Sequence, residues 1–204
     1  MKVNKKIIFY FIVLVFLISA ATIISINILN VYEEREEYEV KNKDVVKQVK
    51  AYINELDLND NLQKFDVKFE GYDVIGLLKI PVIDLEYPII SETTDTTMKI
   101  SISRFWGGDV NGYGNLSLAG HNNYNGTMFG KNNKLKLGDM LELTDLFGNS
   151  IKYEIKEIFK TDPNDTSVLK TEDNSIREVT LITCSNGRRE RLIIKALEIN
   201  LEEK

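Results

Sequence analysis

Hydrophobic and polar positions along the chain fall into three regimes. From Ile7 to Leu29, 19 of 23 residues are hydrophobic; only Ser19, Thr22, Ser25 and Asn27 are polar, and none is charged. At about 1.5 Å per residue such a helix spans roughly 35 Å, enough for a hydrocarbon layer of about 30 Å. Residues 31–43 are densely charged and predict a solvated stalk. From Asp44 to Leu56 the residues Val45, Val46, Val49, Tyr52, Ile53 and Leu56 recur at helical spacing, with Asp44 placed to cap that helix. The turn-rich stretch Asp57–Asn61 predicts its end.

Beyond that point the period changes from helical to two. Short β-rich segments are expected at Val74–Ile80, Leu85–Ile90, Asn115–Ala119, Met140–Thr144, Ile151–Ile158, Glu178–Thr183 and Arg191–Ile199, separated by Gly, Asn, Asp or Pro. The clearest is SIKYEIKEI, where Ile151, Tyr153 and Ile155 alternate with Lys152, Glu154 and Lys156. Seven or eight short strands with one N-terminal helix predict a mainly β fold, a small closed or nearly closed barrel.

Charge and composition sharpen this picture. The net charge of −5 argues against non-specific nucleic-acid binding. It is unevenly spread: residues 1–30 carry Lys2, Lys5 and Lys6 and no acid, whereas Glu33, Glu34, Glu36 and Glu37 follow the apolar run. That asymmetry predicts a single pass through the cell membrane, with a cytoplasmic N-terminus and the remainder outside. Ser19-Ala20-Ala21 could serve as a leader cleavage site, but a leader's apolar stretch is about 7–15 residues, and this run continues well past Ala21. The uncleaved anchor is therefore the favoured reading. A single Cys makes no internal disulfide, and a single His excludes a His-rich zinc site. An exported thiol with no partner is unusual and asks for a purpose.

Three stretches carry candidate chemistry. In FWGGDVNGYGNLSLAGHNN a glycine-rich loop and a short apolar strand deliver His121 just past the strand end. In VTLITCSNG a β-branched strand ends at Cys184 and opens into a polar turn. A lone Cys is ordinarily a small buried hydrophobe, but a strand end opening into a loop is where scaffolds present reactive groups. In GRRERLIIKALEI, alternation places Arg189 and Arg191 on one strand face. Together these supply a thiolate nucleophile, a proton-transfer partner and a cationic donor for an oxyanion, the needs of acyl transfer. Arg189 and Arg191 both remain candidates for the last role on pattern alone.

TLITC, LAGH and RLIIKA, with GLLKIPVIDLEYPI ahead of them and FKTDPNDTSVL between, resemble the signature blocks of the sortase family, the cysteine transpeptidases of Gram-positive cell surfaces. The resemblance covers roughly residues 72–200 and implies a closed eight-stranded barrel with short helical turns in its loops. It implies that His121, Cys184 and Arg191 form the catalytic set, and that Ala119, Val168, Leu169 and Ile182 line the substrate groove. Arg191 is preferred to Arg189 because LIIKA follows it directly. The implied organisation is a cytoplasmic 1–6, a transmembrane signal-anchor 7–29, a stalk and helix 30–70, and a catalytic barrel 71–204. The implied reaction cleaves a Leu-Pro-x-Thr-Gly-like sorting signal on secreted proteins and transfers them to a lipid II-like peptidoglycan precursor or a pilin amine. No cofactor and no metal are expected. The pattern is class A-like or class D-like. A pilin-polymerising sortase, an exported cysteine peptidase that only hydrolyses, and a non-enzymatic anchored β-domain are the alternatives.

Overall fold

The long apolar run and the charged segment after it form one helix. In the computed structural model, which describes residues 5–56, 67–171 and 173–199, α1 extends over Lys5–Leu56. Residues 31–43 are largely exposed, as a stalk would be, but helical; Glu, Arg and Lys are good helix formers, and no Gly or Pro interrupts them. Asp44 therefore lies inside α1 and does not cap a separate helix. The break expected at Asp57–Asn61 lies outside the described residues. The apolar part of α1 contains an 18-residue window of mean hydropathy 2.6 with none of it buried. It fits a single transmembrane helix.

The chain divides into two compact units, residues 1–39 and residues 40–204. Within the second, the periodic residues Val45, Val46, Val49 and Tyr52 are buried, and Asn42 Nδ2 donates to Ile100 O at 2.8 Å. The strands are β1 (Lys68–Phe69), β2 (Tyr72–Ile80), β3 (Leu85–Ile90), β4 (Ile102–Trp106), β5 (Gly114–Ala119), β6 (Met140–Asp145), β7 (Ser150–Thr161), β8 (Arg177–Ser185) and β9 (Glu190–Glu198); a short helix α2 (Thr97–Ile100) precedes β4.

The sheet order is β1-β2-β3-β4-β5-β8-β9-β7-β6, and β2 also pairs with β6. That last pairing closes β2 to β9 into an eight-stranded barrel, with β1 as an added ribbon on β2. Closure depends on a close approach at Gly76, where a Cβ would stand 2.5 Å from Thr144 O; any side chain there would push β6 away. The inward positions build one core, in which Leu78, Leu118, Leu141, Tyr153, Leu181 and Ile194 are almost wholly buried. Ile151, Tyr153 and Ile155 all face it, as their alternation predicts. All seven expected segments are strands; the two-residue β1 and the barrel strand β4 are the ones that the pattern did not single out. The β4 sequence ISRFW does not alternate cleanly, because it pairs with β3 at only two positions and carries a bulge against β5.

Candidate active site

β5 and β8 run parallel at a constant offset of 63 residues, from Asn115 opposite Glu178 to Ala119 opposite Ile182. The pairing continues beyond β5, with Gly120 N donating to Ile182 O at 3.2 Å and Thr183 Oγ1 donating to Gly120 O at 2.7 Å. The same offset brings His121 level with Cys184. One residue further, Asn122 Nδ2 donates to Cys184 O at 2.8 Å, fastening the His-bearing loop to the Cys-bearing strand. The loop turns back on itself through Phe129 N donating to His121 O at 2.9 Å. Only glycine fits before the histidine: a Cβ on Gly120 would lie 2.8 Å from the Phe129 ring.

On the other side β9 runs antiparallel to β8, and Cys184 is directly opposite Arg191. Directly opposed antiparallel residues hold their Cβ atoms about 4.5–5.5 Å apart on one face. Leu116 and Leu118 of β5, Val179 and Leu181 of β8, and Leu192 and Ile194 of β9 all belong to the core. Alternation then turns Ala119, Ile182, Cys184, Arg191 and Ile193 to the outer face of the barrel. His121, Cys184 and Arg191 are each half-buried, with Arg191 opposite the thiol on β9 and His121 in the loop that Asn122 ties to Cys184 O.

The turn joining β8 to β9 is tight. Asn186, Gly187 and Arg188 are successive left-handed residues, with φ of 46°, 62° and 73°. For Arg188 this costs about 1–2 kcal/mol, whereas Asn tolerates the left-handed region more readily. Arg191 Nη1 donates back to Arg188 O at 3.3 Å and Glu190 O at 3.4 Å. Arg189 is exposed in the turn itself, before β9 begins, so it does not share a strand face with Arg191 as its spacing suggests.

The two loop residues expected in the groove lie between β7 and β8. Ser167–Leu169 form a single 3-10 turn in which Val168 is buried and Leu169 half-buried. Asp165 organises the approach to this turn, accepting from Ser167 N, Ser167 Oγ and Thr161 Oγ1. These hydrogen bonds, the one from Ser167 Oγ first, hold its carboxyl below the ordinary carboxylate range. Leu169 also lines a cavity of about 710 Å³ with Trp106, Tyr113, Asn115 and Lys170. This cavity lies at the start of β5, about six residues or roughly 20 Å from His121 along the strand direction. Ala119 and Ile182 therefore flank the thiol, whereas Val168 and Leu169 stand further along the same face.

Sequence pattern missed the tie from Asn122 to Cys184 and the aromatic cavity. Asn122 reads as one of several loop asparagines, and Trp106 and Tyr113 sit in the irregular β4–β5 region. Among the described residues no group of three or more His, Cys, Asp or Glu converges as a metal site would require.

A family model described as Sortase domain matches residues 78–199, more than half of the chain. Sortase A of Bacillus anthracis is 30% identical over 132 residues, covering 64% of this chain and 61% of its own length. Sortase A of Listeria monocytogenes is 31% identical over 112 residues, covering 54% of this chain and 49% of its own. The chain thus spans 61% and 49% of the lengths of these two relatives. A solved structure of a Clostridium perfringens Sortase D5 transpeptidase aligns with a TM-score of 0.65 at 31% identity, covering 79% of this chain and 99% of that one.

Proposed function

The chain belongs to the sortase family, and from that membership we propose that it is a membrane-anchored cysteine transpeptidase acting through Cys184, His121 and Arg191. The observation that supports the reading is the register that sets Arg191 opposite Cys184 on β9, together with the hydrogen bond from Asn122, the neighbour of His121, to Cys184 O. Cys184 attacks, as thiolate, the Thr carbonyl of a Leu-Pro-x-Thr-Gly-like signal. The carbonyl π electrons move to oxygen, where Arg191 offers N–H donors to the oxyanion. Collapse expels the Gly amine, which takes a proton from the His121 imidazolium and leaves a thioester on Cys184. An incoming amine then attacks the thioester and loses its proton to His121, and the sulfur departs as thiolate. The acceptor is a peptidoglycan-precursor amine, or a pilin Lys amine in a polymerising variant. Ala119, Ile182, Val168 and Leu169 line the path of the signal peptide.

In this reading residues 1–6 are cytoplasmic, 7–29 cross the cell membrane, 30–70 lead outward and 71–204 form the extracellular catalytic region. Protease added to intact protoplasts should digest the barrel; complete protection reverses that orientation. The reaction is tested by giving a fluorogenic sorting peptide to the full-length chain in detergent, with and without an amine nucleophile. Amine-dependent transfer product supports a transpeptidase, free acid alone makes it a peptidase, and no turnover removes the enzymatic reading.

A further inference from the structure

The outer face of β5, β8 and β9 carries a buried polar chain that the proposed chemistry does not use. It begins at Lys195, whose Nζ donates to Glu178 Oε1 at 2.6 Å, with both side chains largely covered. Glu178 lies beside Thr180, which is fully buried and donates through Oγ1 to Asn115 Oδ1 at 2.9 Å. Asn115 is itself 7% exposed, and its Nδ2 donates to two carbonyls, Val168 O at 3.2 Å and Leu169 O at 3.1 Å. Those are the last carbonyls of the 3-10 turn Ser167–Leu169, which have no partner within the turn. Buried polar groups persist where they are paired, and each step here is paired in one direction. Thr180 fixes the amide so that its NH₂ side, not its oxygen, meets the loop, and Thr180 Oγ1 also lies 3.5 Å from Glu178 Oε1.

We propose that Asn115 is a positioning residue that holds the Val168–Leu169 wall of the substrate groove against the barrel, and so governs how tightly the sorting peptide binds and not how fast it reacts. The proposal rests on the transpeptidase reading for its substrate but not for the anchor itself. Asn115 is six residues before His121 on the strand direction, too distant to touch the reacting carbonyl. Asn115→Ala removes both donors. Asn115→Asp keeps the acceptor for Thr180 and nearly the same shape, but offers oxygen where the carbonyls need a donor. Thr180→Val removes the hydroxyl that orients the amide and its longer 3.5 Å contact with Glu178 Oε1.

Two measurements on the full-length chain in detergent test this. Hydrogen exchange at the amides of residues 166–171 should quicken about tenfold or more in Asn115→Ala and Asn115→Asp, as expected for two lost hydrogen bonds, with the amides of β8 and β9 unchanged. Sorting-peptide kinetics should show KM raised on the order of tenfold with kcat within about twofold, and the rate of Cys184 alkylation by iodoacetamide unaltered. Adding Thr180→Val to Asn115→Ala should cost little more, because both act through one amide. Unchanged exchange in both Asn115 variants, or a fall in kcat at constant KM, overturns the proposal. Wild-type protein without turnover overturns the transpeptidase reading instead, and exchange still decides the anchor.

Discussion

Replacing Arg191 tests the geometry around the thiol most sharply, because two arginines compete for one role and the structure separates them. Arg191 faces Cys184 across the β8–β9 ladder, while Arg189 is exposed in the turn. The Arg191 Nη1 contacts to Arg188 O and Glu190 O, at 3.3 and 3.4 Å, are longer than the 2.7–3.2 Å of good N–H···O bonds, so turning the guanidinium to an oxyanion gives up little. Loss of one oxyanion donor typically lowers kcat by about 10²–10³, or roughly 3–4 kcal/mol. Arg191→Ala should lose that much, and Arg189→Ala no more than about twofold. Arg191→Lys should recover only part, since an ammonium cannot reproduce the planar fork. The assay is steady-state transfer of a sorting peptide to an amine, with circular dichroism as the folding control. Full activity in Arg191→Ala beside an inactive Arg189→Ala would move the oxyanion role to Arg189.

Three further outcomes follow from named contacts. His121→Ala should lower transfer by about 10²–10⁴-fold, with no other histidine in the sequence to substitute; turnover within tenfold of wild type argues against His121 as the proton carrier. Lys195→Met leaves the buried Glu178 carboxylate without its cation and should cost about 3 kcal/mol, read as a Tm lowered by roughly 6–12 °C; an unchanged Tm means the pair does not stabilise the barrel. Asp165 is held below the ordinary value of 3.8 by Ser167 and Thr161, so its contribution is present above that value and is lost as pH falls through the lower folded one. The Tm difference between wild type and Asp165→Ala should therefore be constant near neutrality and shrink below pH 3.8; a difference that grows on acidification contradicts this sign.

Much of the barrel was legible because burial on one face imposes period two. SIKYEIKEI, VTLITC and RLIIKA are strands whose inward residues meet one core, and the pairing of β2 with β6 closes it. β4 was not legible: ISRFW has a bulge and only two pairs on one side, so the sheet, not its own pattern, makes it a strand. The helix was underestimated for the opposite reason. A charged segment with no apolar stripe gives no periodic signal, yet its residues favour helix and continue the apolar run before it. At the site, His121 and Cys184 could be nominated from strand ends, but the parallel register that brings β5 beside β8, 63 residues apart, is not encoded in local spacing. Asn115 and Asn122 were invisible for the same cause. Each donates to backbone carbonyls distant in sequence.

A transpeptidase working through Cys184 must carry the acyl group on that sulfur between a sorting signal and an amine. Intact mass spectrometry of the full-length chain, quenched in acid after mixing with a Leu-Pro-x-Thr-Gly peptide, reads that intermediate directly. The expected result is a mass gain equal to the acyl portion of the peptide through its Thr, located on Cys184, discharged by added hydroxylamine and missing from Cys184→Ala. An adduct of the same mass on Cys184→Ala, or amine transfer by that variant, contradicts it.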